Sequence, residues 1–307
     1  MTVARHRDVV IVGSGPAGYT AGVYAARAGL RPLLFEGAEL GGALMTTGEV
    51  ENFPGFPDPL VGPELIGRLR KQAEAVGTEL VTQDVVRLDL VGSRKAVHTT
   101  AETYTADAVV LAMGARPRML GLAAETWAVG HGLSTCATCD GFAFRGRPVA
   151  VVGGGDAAVE EAITLSRLAP SVTLVHRRGV LRASAVLQRR LAATDVTLRT
   201  NVVVTDILGG PEVTGIAVRD THTGEHNRVD VAGLFVAIGQ DPRSELVRGQ
   251  VELTDRGHVV VTGATTTTLD GVFACGDLVD DTYRQAVTSA ASGCQAAMDA
   301  ERWLAHR

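Results

Sequence analysis

Scarcity limits the chemistry of this chain before any motif is read. Only 4 of its 307 residues are cysteine, too few for the disulfide framework of a small secreted domain. Beyond Cys136-x-x-Cys139 there is no second Cys-x-x-Cys, so a four-cysteine zinc site cannot be completed and no metal is expected. Long runs of Lys or Arg are missing and the formal charge is -5, which removes the electrostatic footprint of a nucleic-acid partner. The one early apolar run, Val9 to Val12, stops at Gly13; it is too short for a signal-peptide core and too glycine-bound for a membrane span. A soluble, cytoplasmic protein is expected. Aromatic residues make up 4%, so its cores must be built from Val, Ala and Leu.

Glycine, by contrast, is abundant, with 36 residues, and hydrophobic residues reach 46%. That combination suits buried parallel strands joined to helices by tight turns, and the length calls for two domains. The run Asp8–Val12 reads as a strand, Gly13-Ser14-Gly15-Pro16-Ala17-Gly18 as a turn, and Tyr19 to Ala28 as a helix. In a dinucleotide-binding unit Gly13 permits the turn, Gly15 admits a pyrophosphate, and Gly18 lets helix and strand pack closely. The second strand, Pro32 to Phe35, ends at Glu36, where an acid can accept hydrogen bonds from a ribose.

The pattern then starts again. Val149 to Val152 leads into Gly153-x-Gly155-x-x-Ala158 and a helix from Val159 to Leu168. Its second strand, Val172 to Val175, ends in His176-Arg177-Arg178, where guanidinium groups could hold a 2′-phosphate, so NADPH is expected rather than NADH. Val109–Pro117 and Leu234–Pro242 close the two units alike, and the chain after about Ser244 is expected to return to the first. Within it Thr265 to Thr268 reads as a surface edge, and Gly276-Asp277 as a turn open to a ligand with a carboxylate for a polyol hydroxyl. Cys275 and Cys294 read as buried packing thiols.

Between the units lies Cys136-Ala137-Thr138-Cys139-Asp140-Gly141, a redox pair in an otherwise thiol-poor chain. Thiol–disulfide exchange needs a thiolate, and reducing a disulfide consumes protons; Asp140 is placed to act as acid or base, or simply to cap a helix. The residues alone do not order the two cysteines.

Together the strings CATCDG, VAVVGGGDAAVEEA, HRR followed by Arg182, YRQAVTSAASGC and MTTGEVENFPG resemble, over nearly the whole chain, the bacterial low-molecular-weight thioredoxin reductases. The resemblance implies an α/β fold of two Rossmann-like, three-layer ββα domains of the pyridine nucleotide-disulfide oxidoreductase type. An FAD domain would comprise 1–117 and 246–307, and an NADPH domain 118–245 would carry the cysteines. FAD would meet Gly13, Gly15, Pro16, Ala17, Glu36, Gly42, Thr47, Asn52, Gly276, Asp277, Arg284, Gln285 and Ala286. NADPH would meet Gly155, Asp156, His176, Arg177, Arg178 and Arg182. Cys139 would face the flavin and Cys136 attack a thioredoxin or thioredoxin-like protein, in a homodimer. Gly48, Asp156 and Cys275 depart from the usual residues, and the charge of Asp156 is expected to weaken NADPH binding somewhat.

The expected circuit runs from NADPH through FAD to Cys136–Cys139 and on to a protein disulfide, with domain rotation about 116–118 and 242–245. A small-molecule dithiol oxidase on the same fold usually carries His after the second Cys, where this chain has Asp140. A ferredoxin-fed disulfide reductase and a non-catalytic flavin module are the other readings, separated by anaerobic NADPH titration and by replacing Cys136.

Overall fold

An apolar strand without a polar face must be covered on both sides, and the opening strand shows how. In the computed structural model, which describes residues 5–46 and 49–307, Val9 and Ile11 join one core while Val10 and Val12 join another. The strand Val149–Gly153 repeats the arrangement, with Val149 and Val151 on one side and Ala150 and Val152 on the other. Each run thus lies between two packed layers, as the period-two alternation of a strand requires.

The chain divides into two compact units. The first comprises Met1–Thr47, Phe53–Arg116 and Asp241–Arg307; the second comprises Gly48–Asn52 and Pro117–Gln240. Both boundaries fall beside the glycine-proline stops that end the two repeats. Near them Arg243 N–H donates to Gly114 O within the first unit, at 2.9 Å, and Arg118 N–H to Gly239 O within the second, at 3.0 Å.

In the first unit the parallel strands run in the order Glu79–Val81, Pro32–Phe35, Arg5–Val12, Thr103–Leu111 and Val272–Ala274. The final strand enters beside Val109–Leu111, which is how the end of the chain completes the first core. An antiparallel pair, Val85–Asp89 and Lys95–Thr99, extends the sheet from the other half of Thr103–Leu111. Helices Pro16–Arg27 and Ala286–Ala305 pack on it with very close backbones: a Cβ on Gly293 would lie 2.1 Å from Ala17 O.

The second unit is a five-stranded parallel sheet in the order Leu133–Ser134, Gly233–Ala237, Val149–Gly153, Val172–His176 and Thr197–Thr200. Helices Asp156–Leu165 and Ala185–Ala192 contribute to the core on one face, and an antiparallel sheet of Val202–Gly209, Val213–Asp220 and His226–Val229 covers the other. This is the expected ββα layering.

Three sequence readings need correction. Thr265 and Thr267 are buried while Thr266 and Thr268 are exposed, because the segment alternates and turns two hydroxyls inward. There the Thr265 hydroxyl donates to Asp299 at 2.5 Å and that of Thr267 to Val272 O at 2.8 Å. Cys275 is fully buried and its thiol is pushed up to about 12 by desolvation, but Cys294 is only half-buried, its sulfur 3.8 Å from that of Met298. The helix after the second glycine turn begins at Asp156 and ends at Leu165, earlier at both ends than the periodicity suggests.

Candidate active site

Cys136 and Cys139 are joined as a disulfide with their Cα atoms 5.3 Å apart. Cys136 precedes the single-turn helix Ala137–Asp140 in extended conformation, and its sulfur accepts the Cys139 N–H at 3.2 Å. That donor stabilises negative charge on Cys136 when the pair is reduced.

Asp140 ends the helix and caps nothing with its side chain. Its carboxyl is bonded instead by the Ser134 hydroxyl at 2.5 Å. Burial pushes the carboxyl above the usual aspartate range, and the Ser134 bond opposes this without cancelling it. Phe142, just beyond, is 54% exposed, with the Arg145 guanidinium 5.9 Å from its ring centre.

The two glycine turns share a division of labour. A Cβ on Gly13, whose φ is +112°, would fall 2.3 Å from Ala112 O, and one on Gly153 would fall 2.4 Å from Ala237 O. A Cβ on Gly18 would meet Gly13 O at 1.9 Å. These glycines are required by the protein's own packing. Gly15 and Gly155 have nothing within 4 Å of a built Cβ, and each immediately precedes a helix whose N-terminus has no side-chain cap. Open backbone at a helix N-terminus is the cradle a dinucleotide phosphate needs, so both turns fit such a group.

Around Gly15 the first unit gathers several of the expected residues. A Cβ on Gly42 would lie 3.8 Å from Gly15 Cα, and one on Gly276 would lie 3.0 Å from the Ala17 Cβ. Asp277 is half-buried, its carboxyl pushed upward by desolvation and bonded by the Ser289 hydroxyl at 2.9 Å. Arg284 has a left-handed φ of +51°, held by its N–H donating to Asp280 at 2.9 Å; Gln285 and Ala286 follow at the start of the last helix. Pro16 is the first residue of the helix after Gly15. Thr47 lies outside the described residues, as does Gly48, and Asn52 falls in the stretch that groups with the second unit.

Glu36 is placed differently from the sequence expectation. Its side chain is fully buried, and Oε1 accepts from Tyr19 at 2.8 Å and Arg70 at 2.7 Å while Oε2 accepts from Thr82 at 3.0 Å and Arg70 at 3.2 Å. Four donors fill a carboxylate's capacity, so a ribose would reach it only by displacing one. Burial alone would push the Glu36 carboxyl up, but these donors outweigh it and hold the carboxyl below the ordinary glutamate range. Its partners Tyr19, Arg70 and Thr82 lie 17, 34 and 46 residues away, and nothing in the sequence linked them to Glu36.

In the second unit Arg177 and Arg178 are exposed at the end of Val172–His176, but His176 turns inward. Its ring lies against Gly154, bonds Val180 O at 3.1 Å, and is pushed toward the neutral form by burial. It supports the glycine turn from beneath, which corrects its assignment as a ligand side chain. The segment after it folds back, with Arg182 N–H and Ala183 N–H both donating to Gly154 O, at 2.6 and 3.1 Å. Asp156 accepts the Ser184 N–H at 2.7 Å, so its charge is partly engaged in closing this loop. Arg182 thereby stands beside the turn.

Two Rossmann-like units, each with an open glycine cradle, and a Cys-x-x-Cys disulfide in one of them, define an α/β oxidoreductase that acts on disulfides. The family model of pyridine nucleotide-disulphide oxidoreductases matches residues 7–293, and the chain belongs to that family. It is 59% identical over 302 residues to a thioredoxin reductase of Mycolicibacterium smegmatis, spanning 98% of this chain and 97% of that one. A thioredoxin reductase of Streptomyces clavuligerus is 53% identical, covering 97% of this chain and 94% of its own. Among solved structures, a thioredoxin reductase from Giardia duodenalis superposes with a TM-score of 0.93 at 38% identity, over 98% of this chain and 99% of that chain. Among the described residues no helix is long and apolar enough to cross a membrane.

Proposed function

We propose that this chain is an FAD-containing, NADPH-dependent thioredoxin-disulfide reductase acting in the cytoplasm as a homodimer. The observation that carries the reading is the Cys136–Cys139 disulfide with the half-buried Asp140 next to it in sequence, in the unit whose glycine turn is flanked by Arg177, Arg178 and Arg182. FAD belongs at the Gly15 cradle with Gly42, Asp277 and Arg284, and NADPH at the Gly155 cradle with the three arginines. When bound, FAD supplies a two-electron carrier between the nicotinamide hydride and the disulfide.

In the reduced pair the Cys136 thiolate, stabilised by the Cys139 N–H, attacks the thioredoxin disulfide; a Cys136–thioredoxin bond forms and one thioredoxin thiolate leaves. The Cys139 thiolate then attacks the Cys136 sulfur, closing the intramolecular disulfide and releasing the second thiolate. Asp140, whose carboxyl sits above the usual range, delivers a proton to a departing sulfur and is reprotonated from water. Overall, NADPH, one proton and the thioredoxin disulfide give NADP⁺ and the thioredoxin dithiol.

The exposed Phe142 beside the disulfide suits the apolar rim of a protein disulfide partner. Tyr24, Val287 and Met298 expose apolar side chains on the two packed helices of the first unit, which supports a subunit contact there. Anaerobic NADPH should bleach the flavin of both the wild type and Cys136→Ser, whereas only the wild type should reduce thioredoxin. Retained thioredoxin reduction by Cys136→Ser would overturn the reading, and sedimentation as a monomer would remove the dimer.

A further inference from the structure

We propose that Ser134 is a positioning residue for the proton delivered during disulfide exchange, its hydroxyl holding the Asp140 carboxyl beside the cysteine turn and setting the pH at which that proton is released. The proposal rests on the reading of Asp140 as the acid and adds the group that controls it.

Ser134 ends the short strand Leu133–Ser134, in parallel register with Phe235. It is only 7% exposed. The sheet therefore fixes its backbone, while the cysteines and Asp140 lie in the turn and single-turn helix that follow. Its hydroxyl makes two contacts that together orient its proton. The Cys136 N–H donates to Ser134 Oγ at 3.1 Å, and Oγ donates to Asp140 Oδ2 at 2.5 Å. Cys136 O, the other acceptor in reach, is farther off at 3.4 Å. One hydroxyl thus links the backbone of the attacking cysteine to the carboxyl that protonates the departing sulfur.

A hydroxyl that already receives an N–H and donates to a carboxylate favours the ionised acid, whereas burial favours the protonated one. Charged or titratable groups on neighbouring elements are Glu49 and Glu51 on the short Gly48–Asn52 stretch, Asp156, Glu160 and Glu161 on Asp156–Leu165, Arg145 and Arg147 after the turn, and the two cysteines. With the cysteines joined, burial raises the Asp140 carboxyl and the Ser134 bond lowers it. Ser134 is therefore the hydrogen-bonding influence on the acid that a substitution can remove.

Its removal moves the acid in a known direction. Ser134→Ala withdraws the bond to the ionised form, so Asp140 holds its proton to higher pH. A hydrogen bond to a charged group corresponds to about one to two pH units. Since the protonated carboxyl is the working form, the limb where thioredoxin-coupled kcat falls with rising pH should move up by that amount in Ser134→Ala. It should move in the same direction in Ser134→Cys, a weaker donor of similar size, and stay within a few tenths of a unit in Ser134→Thr. Asp140→Asn should lose the limb. An infrared titration of the carboxyl stretch in the oxidised protein gives the same shift independently of turnover.

A limb and a carboxyl titration that stay in place in both Ser134→Ala and Ser134→Cys, with normal flavin content and circular dichroism, would overturn the proposal. So would a uniform rate loss at every pH, which marks a purely structural role. If Asp140→Asn retained the limb while Cys136→Ser abolished turnover, the reductase reading would stand and the proton assignment would fall.

Discussion

Replacing Arg70 by Met puts the Glu36 network to a quantitative test. The Glu36 side chain is fully buried and takes two of its four hydrogen bonds from Arg70. Methionine keeps an apolar stem but leaves the carboxylate with only Tyr19 and Thr82 as donors. Breaking a buried ion pair by removing one partner costs about 3–5 kcal/mol. Because the Arg70 side chain is 35% exposed, the screened lower end applies, about 3 kcal/mol. At about 2–4 °C per kcal/mol for a unit of this size, the melting temperature should fall by about 6–12 °C. The pH dependence has a definite sign. A carboxyl held below its unfolded value lends stability above that value and loses it as the pH falls through the folded one. The deficit of Arg70→Met should therefore be complete at pH 7.5 and shrink as the pH drops below the ordinary glutamate range. Adding Glu36→Gln to Arg70→Met removes the stranded charge and should recover about 1–2 kcal/mol. The assay is thermal unfolding followed by circular dichroism, with saturating FAD in every sample so that ligand linkage is constant. An Arg70→Met protein that melts within a degree of the wild type, or a double variant no more stable than the single one, would refute the reasoning.

The glycine turns and the arginines give two further expectations. Gly18→Ala must push a methyl into Gly13 O and should yield little folded protein, while Gly15→Ala, with ordinary φ of -74° and open space, should fold normally but bind FAD at least about tenfold more weakly in a fluorescence titration; equal soluble yields of the two would contradict this. Arg177→Ala or Arg178→Ala should each raise the KM for NADPH by about tenfold and leave NADH unchanged, as expected for one lost charge-assisted bond to a 2′-phosphate; equal effects on both nucleotides would remove that role.

Strands were legible wherever burial leaves a one-dimensional trace. Val9–Val12 and Val149–Val152 are apolar throughout because both faces are covered, and their cores alternate residue by residue. The glycine spacing was legible for a related reason: backbone collisions at Gly13, Gly18 and Gly153 are local to the turn, its helix and the neighbouring strand end. Side-chain direction was not. His176 and Arg177 are adjacent in a run of three basic residues, yet one lies beneath the turn and the other in solvent, because successive residues at a strand end point oppositely. Charge patterning treats them alike. Thr265 to Thr268 misled in the same way: four identical residues carry no pattern, and only the pairing of the segment decides which hydroxyls turn inward.

The cysteine turn joins both cases. Cys136, Cys139 and Asp140 are visible because the chemistry needs them close in sequence, but whether Asp140 caps, floats or stores a proton depends on what encloses it. Ser134 is only six residues away, and serine two positions before a cysteine carries no signal by itself. It becomes significant because the strand that ends there is paired to Phe235 and aims the hydroxyl at the turn. A proton relay built this way keeps its acid and its thiols on the turn and single-turn helix but anchors the group that tunes them in the sheet. Substitutions along Gly233–Ala237 that shift the Leu133–Ser134 strand should therefore alter the pH profile of exchange without touching either cysteine.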